Sequence, residues 1–222
     1  MLPEISIRSH STDQFLLDRV LYSNSYRINN FLPDSTVVDI GANIGAFSIN
    51  AQIRGATNIY AFEPFQHNYE ILVKNLNQFC KNYKSHQIGI ADVNGFYKIS
   101  DPKLINNSFY DTSDLEIADQ GSYSYFCRID EILNIIPQRI SLLKISIPKT
   151  VEILENSSKL FLCENLCFEL QDRTVDENIE ILEKIKRKGA FPVADFVKNS
   201  EKTTLFKFSK TDLNICFLNY NT

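Results

Sequence analysis

No apolar run in this sequence approaches the roughly 20 residues that a helix needs to cross a bilayer, and the opening MLPEISIRSH has no apolar stretch of the signal-peptide kind, so a soluble, cytoplasmic protein without a membrane partner is expected. Basic charge is not in excess either. Twenty-three Lys and Arg stand against 27 Asp and Glu, a formal net charge of −4, which argues against a nucleic-acid partner. Cysteine is sparse and odd in number: the five residues Cys80, Cys127, Cys163, Cys167 and Cys216 do not form the dense even framework of a small secreted scaffold and read as reduced core thiols. Cys163 and Cys167, with three residues between them, have no nearby His or second Cys pair, and His10, His67 and His86 are the only histidines, so no metal site is expected. A serine-hydrolase elbow G-x-S-x-G and a phosphate loop G-x-x-x-x-G-K-[ST] are also missing. Glycine and proline, seven of each, are scattered as punctuation rather than gathered in a linker, and no repeat is visible. One domain spanning 1–222 is the simplest organisation.

What is present is an ordinary globular composition, 44% hydrophobic and 23% charged over 222 residues, with enough material for one large core. The β-branched run 36–40 stops at Gly41 and the run 59–62 stops before Pro64, so both read as short buried strands, each followed by a helical pattern. In the second helix Tyr69, Leu72, Val73, Leu76 and Phe79 form the apolar stripe. Weaker strand signals follow at 85–90, better ones at 142–147 and 166–170, with Pro148 suited to the first turn of a helix. Thr174 and Glu177 fit a capping box that opens a helix directing Val175, Ile179, Leu182 and Ile185 inward, and Gly189 is its natural stop. The basic cluster Lys184, Lys186, Arg187 and Lys188 matches the helix dipole and reads as a solvated end. Beyond it, 191–197, 203–208 and 213–218 read as strands, so an α/β body, a doubly wound and mostly parallel sheet, closes with an antiparallel hairpin. Residues 1–34 form a helical cap whose Phe15, Leu16, Arg19 and Val20 give a partly apolar face able to lie over the ligand side of the sheet. Residues 101–121, with Phe109 and Tyr110, form a long loop on the acceptor side or a mobile connection.

The sharpest chemical signal is VVDIGANIGAFS, residues 37–48. A strand there delivers Asp39 and Gly41 into a tight turn and Gly45 opens a helix, a geometry that lets a ligand approach the backbone and offers N–H groups to an anion or carboxylate. The spacing is not G-x-G-x-x-G, because Asn43 takes the middle glycine's place, which disfavours a dinucleotide and leaves a dehydrogenase as a distant third reading. Asp39 suits a ligand carrying an ammonium group. The next strand ends in YAFEP, placing Glu63 about 20 residues after the turn, where an acid accepts hydrogen bonds from ribose hydroxyls.

These motifs together, VVDIGANIGAFS, YAFEP and NLNQF, resemble the FkbM-type S-adenosylmethionine-dependent methyltransferases, whose members carry a D-x-G-A-N-x-G turn and an F-E-P motif. The resemblance runs from about Tyr26 to Leu218 and includes CRIDEIL at 127–133 and ELQ from Glu169. It implies a class I methyltransferase, Rossmann-like fold and S-adenosylmethionine as cofactor. Asp39, Gly41, Ala42, Asn43 and Gly45 would then surround its methionine part, Glu63 with Pro64 its ribose, and Asp92 would border its adenine. The implied reaction is transfer of a methyl group to a hydroxyl of a small molecule or glycan, with Lys144, Ser146 and Glu169 lining the acceptor side.

The chain departs from the family at KISIPKTVE, 144–152, where the family reads K-(I/V)-D-x-E-G-x-E. Ser146 replaces an aspartate and Pro148 a glutamate, so two carboxylates are gone from the acceptor side, and a neutral serine cannot replace either as a base near pH 7. Three accounts stay open: a base from elsewhere, an acceptor that needs none, or a methyltransferase fold that binds cofactor or a protein partner without turnover.

Overall fold

The computed structural model describes residues 4–9, 11–98, 123–171, 173–200 and 203–218. Its centre is a seven-stranded sheet in the order β3-β2-β1-β7-β8-β10-β9. Strands β1 (Thr36–Ile40), β2 (Asn58–Phe62), β3 (Tyr83–His86), β7 (Leu142–Ile145) and β8 (Asn165–Gln171) run parallel. The β9 (Val193–Ser200) and β10 (Thr203–Ser209) hairpin closes the edge, β10 being antiparallel to both neighbours. All five residues of β1 are buried, because parallel central strands are covered on both faces and so read as continuous apolar runs.

Two cores flank the sheet. On one face Val37, Ile59, Leu142, Cys167 and Leu205 pack under α2 (Ala46–Ile53), α3 (Gln66–Phe79) and the amino-terminal residues Leu17, Val20 and Tyr26. On the other, Val38, Phe62, Leu143, Phe168 and Phe206 pack under α4 (Ile129–Ile135), α5 (Thr150–Asn156) and α6 (Val175–Gly189). Phe168 stacks on Phe206 with ring centroids 5.0 Å apart. A second sheet, ordered β4-β6-β5, joins β4 (Ile88–Ile90), β5 (Gly95–Lys98) and β6 (Tyr123–Cys127). All five cysteines are buried free thiols. No helix among the described residues is long and apolar enough to cross a membrane, and no group of three or more His, Cys, Asp or Glu among them is arranged to hold a metal.

Several elements differ from the sequence reading for tertiary reasons. The strand expected at 85–90 breaks at Gln87 into β3 and β4, which belong to different sheets. The strand expected at 213–218 is a short helix, α7 (Leu213–Cys216), capped by the Asp212 carboxylate accepting from Asn214 N at 2.9 Å; only Phe217 bridges, to Ile28. Helix α5 starts at Thr150 after Lys149 turns through a φ of 53°, so Pro148 precedes the helix instead of opening it. The Thr174–Glu177 capping box is present, but α6 runs through Gly189 and Ala190 takes the left-handed φ of 53°. The helix buries Asn178, Ile181 and Ile185, leaving Val175 and Ile179 exposed.

A helix is present within the amino-terminal cap. It is a short α1 (Asp13–Leu16) continuing as a π-helical turn Leu17–Tyr22, whose wider winding buries Leu17, Val20 and Leu21 and leaves Phe15 63% exposed. It packs against the face of α2, where Asn50 Nδ2 donates to Val20 O at 2.9 Å. The expected loop 101–121, with Phe109 and Tyr110, lies outside the described residues, as does His10.

Candidate functional site

The turn between β1 and α2 is shaped by a close backbone approach. A Cβ on Gly41, which has a φ of +73°, would stand 2.2 Å from the Ser146 carbonyl oxygen, so only glycine lets β1 end beside the residue that follows β7. Gly45, at φ +91°, leaves the turn toward α2 where a Cβ would meet Leu72 of α3 at 2.9 Å. Asn43 between them is also left-handed, with a φ of 51°, a conformation asparagine tolerates better than most residues. Ahead of the helix start, Gly41 N and Ala42 N both donate to Phe62 O at 3.0 Å, and Asn43 N donates to Glu63 Oε2 at 2.9 Å. Asn43 Oδ1, by contrast, is shielded from solvent and accepts no hydrogen bond.

Beneath the turn lies an ion pair. Neighbouring strands in register bring Asp39 opposite Lys144, and Lys144 Nζ donates to Asp39 Oδ1 at 2.8 Å, to Gly41 O at 3.0 Å and to Ile40 O at 3.4 Å. The second Asp39 oxygen accepts from Ser48 Oγ at 2.7 Å. Both side chains are buried, at 5% and 0% exposure. Burial by itself would lower the Lys144 pKa, but the Asp39 charge and hydrogen bond outweigh it and hold the ammonium above its ordinary value. An ammonium has three protons to give, and these three acceptors occupy them. Lys144 therefore spends its donors inside the protein, where the sequence reading expected it to line the acceptor side; it clamps the end of β1 from below, and the Asp39 carboxylate bonds to Lys144 and Ser48.

Glu63 stands at the end of β2, 4% exposed. Its Oε1 accepts from Phe65 N and Asn68 Nδ2, each at 3.1 Å, and its Oε2 from Asn43 N. Burial raises the carboxyl pKa, and these bonds together with the Lys144 charge oppose the rise without cancelling it. A carboxylate offers about four acceptor positions, so the three internal donors leave room on Oε2 for one more. Pro64 is buried beside it and its carbonyl accepts from Ser124 Oγ of β6, tying the second sheet to this edge.

The acceptor-side residues are less convergent. Ser146 is exposed just past β7, its N donating to Ile40 O at 3.0 Å. Glu169, expected to line the same space, is ion-paired with Arg19 of the π-helical turn, with 10% of its side chain exposed. Asp92 accepts from Asn156 Nδ2 at 3.4 Å. It lines, with Arg128, Asp130 and Ser157, a 340 Å³ cavity between α4 and α5 that shares no residue with the turn. His67 is exposed, while His86 stacks on Phe62 at 5.0 Å and its carbonyl accepts from Glu63 N.

Two residues bonded to the candidate site escaped the sequence reading. Asn68 and Asn75 were passed over beside the apolar stripe of α3, yet both are buried on the side of Leu72 and Leu76. Their spacing of seven is the available signal, since two helical turns return a side chain to the same face.

No family model matches the chain. A 99-residue stretch is 32% identical to a curated protein, the methyltransferase sdnD of Sordaria araneosa; it covers 43% of this chain and 38% of that protein, well under half of the relative's length. Among solved structures, the chain is similar to M. jannaschii TYW2 in complex with AdoMet, at 15% identity over 92% of this chain and 78% of that one, with a TM-score of 0.51. It is similar to an rRNA methylase from Streptococcus thermophilus, at 12% identity over 93% and 100% of the two chains, TM-score 0.50. It also resembles a precorrin-6y C5,15-methyltransferase from Geobacter metallireducens, at 13% identity over 94% and 95%, TM-score 0.50. At such identities the likeness is one of architecture: the chain has the Rossmann-like fold of the class I methyltransferases.

Proposed function

We propose that this chain is a cytoplasmic, FkbM-type methyltransferase that uses S-adenosylmethionine to methylate a hydroxyl of a small molecule or glycan. One observation carries the reading: the Gly41–Gly45 turn and Glu63 are joined by the Asn43 N–H bond at the carboxyl edge of two adjacent parallel strands, where ligands of such sheets bind. The bound AdoMet of the TYW2 structure and the local identity with sdnD support the choice of cofactor and reaction.

The residues present fit that cofactor. Asn43 Oδ1 is an unused acceptor in the turn, suited to a donor such as the ammonium of an amino acid, and Glu63 keeps one acceptor position for a ribose hydroxyl. When bound, the cofactor supplies an electrophilic methyl group on a sulfonium. Gly41, Ala42 and Gly45 give its methionine part backbone approach, while Asp39 acts through the Lys144 clamp that fixes the turn. Ser146 is left as the polar side chain at the end of β7, and with no carboxylate at 146 or 148 the rate rests on aligning acceptor and methyl.

A second reading is favoured by the same strand ends: Lys144 and Glu169 are both committed to internal ion pairs, so the chain would bind cofactor, or a protein partner, without transferring a methyl group. Incubation with methyl-tritiated S-adenosylmethionine and a panel of hydroxyl-bearing small molecules and glycans separates the two. Label in an acceptor supports the enzyme; saturable cofactor binding without label transfer, even after Ser146→Asp with Pro148→Glu, supports the second reading.

A further inference from the structure

We infer that the amino-terminal residues Ser6, Arg8 and Asp13 are a working part of the cofactor site, with Arg8 and Asn68 as positioning residues that hold Glu63 for the ribose; the inference rests on the reading of Glu63 just proposed. Helix α3 provides the link, because each of its two buried asparagines touches one of these residues on one side and the site on the other. Asn75 exchanges two hydrogen bonds with the Ser6 backbone, accepting from its N at 2.8 Å and donating to its O at 3.0 Å, and the same amide donates to Ile44 O inside the glycine turn at 2.8 Å. Two helical turns earlier, Asn68 Oδ1 accepts from Arg8 Nη1 while its Nδ2 donates to Glu63 Oε1 at 3.1 Å.

The Asn68 contact has a direction imposed by charge. A guanidinium can only donate and an ionised carboxylate can only accept. Between Arg8 and Glu63, the Asn68 amide therefore has one stable orientation, oxygen toward Arg8 and nitrogen toward Glu63. Arg8 is itself fixed, its Nε and Nη2 gripping Asp13 at 2.9 and 2.5 Å and its backbone N adding a third bond at 2.8 Å. Such two-pronged pairing sets geometry as well as strength. Asp13 is fully buried and is reached also by Ser11. The relay Asp13, Arg8, Asn68, Glu63 thus alternates negative, positive, amide and negative, and ends on Oε1 of the carboxylate whose other oxygen, Oε2, is proposed to meet the cofactor. Removing Arg8 frees the amide to rotate, and removing Asn68 frees Oε1 of Glu63 to turn from its place.

The test compares Kd values for S-adenosylhomocysteine and for its 2′-deoxy and 3′-deoxy forms in the wild-type chain, Arg8→Ala and Asn68→Ala, each first checked for a cooperative melt. The proposal expects the wild type to prefer the parent ligand over at least one deoxy form by about tenfold, in the range of one hydrogen bond to a charged group, and either variant to cut that preference below about threefold. Arg8 is part-exposed at 23%, so Arg8→Ala keeps the test open if Asn68→Ala does not fold. A uniform loss of affinity for all three ligands, with the preference intact, would overturn the inference and mark the relay as mere attachment of the amino-terminal residues, leaving the cofactor reading standing. A wild type that binds none of them overturns both.

Discussion

The two halves of the sheet's carboxyl edge use their polar groups in opposite ways. At β1 and β2, Gly41, Asn43 and Glu63 converge around one turn, and two acceptor positions, Asn43 Oδ1 and one on Glu63 Oε2, are left over. At β7 and β8, Lys144 and Glu169 are consumed by Asp39 and Arg19, and the exposed Ser146 stands where the family resemblance implies a carboxylate. The lesson is that side chains on one edge serve a ligand only if the packing leaves them an unfilled hydrogen bond. By that criterion the cofactor half is built and the acceptor half is spare.

The strongest way to break this contrast is at the buried pair that supports the turn. Lys144→Met leaves Asp39 charged and unpaired in the core and is expected to cost about 3–5 kcal/mol of unfolding free energy, read by urea denaturation. The double change Lys144→Met with Asp39→Leu recovers much of that loss if the pair's cost is its missing partner, but it does not restore cofactor binding if the clamp shapes the turn. Next comes Gly41→Ala, which forces a Cβ against the Ser146 carbonyl at a left-handed φ. Strain of this kind is worth about 1–3 kcal/mol, and cofactor affinity should fall with stability because the two strand ends are pushed apart.

A third change sharpens the comparison on the acceptor side. Arg19→Ala removes an ionic partner of Glu169, whose side chain is 10% exposed, which should cost about 1–3 kcal/mol of stability and leave cofactor affinity unaltered, while loosening Glu169 toward an acceptor; a rise in label transfer would show that Arg19 had restrained the carboxylate. The smallest effect concerns pH. Burial alone would raise the Asp13 pKa, but the Arg8 hydrogen bonds and charge outweigh it and leave the folded value below the ordinary 3.8. The pairing therefore stabilises above pH 3.8 and is lost as pH falls through the lower folded pKa. Acid titration followed by hydrogen exchange should release the amides of Ser6 and Arg8 in that range, and Asp13→Asn should remove this dependence.

Local chemistry was legible in the sequence where it dictates local geometry. The glycine turn, the acid at the end of β2 and the Thr174–Glu177 box each sit in a short stretch whose backbone demands those residue types. What tertiary packing decides was not legible. Lys144 looked like an acceptor-side residue because its place in the motif is visible, but its partner Asp39 is 105 positions away and only strand register brings them together. Val175 and Ile179 fitted an inward stripe as well as Ile181 does, and the choice among them came from where β9 and α5 lie. Asn68 and Asn75 were hidden because polar residues inside an apolar stripe have no sequence sign of the segment that will satisfy them.

Calorimetric titration of S-adenosylhomocysteine into the wild-type chain and Glu63→Ala, after removal of any cofactor carried through purification, tests the central claim most directly. The account predicts saturable one-to-one binding by the wild type and a loss of about ten- to hundredfold in the variant, the span of a hydrogen bond to a charged acceptor. Equal affinity in the two chains would contradict it, since the ligand would then be held somewhere other than the turn and Glu63.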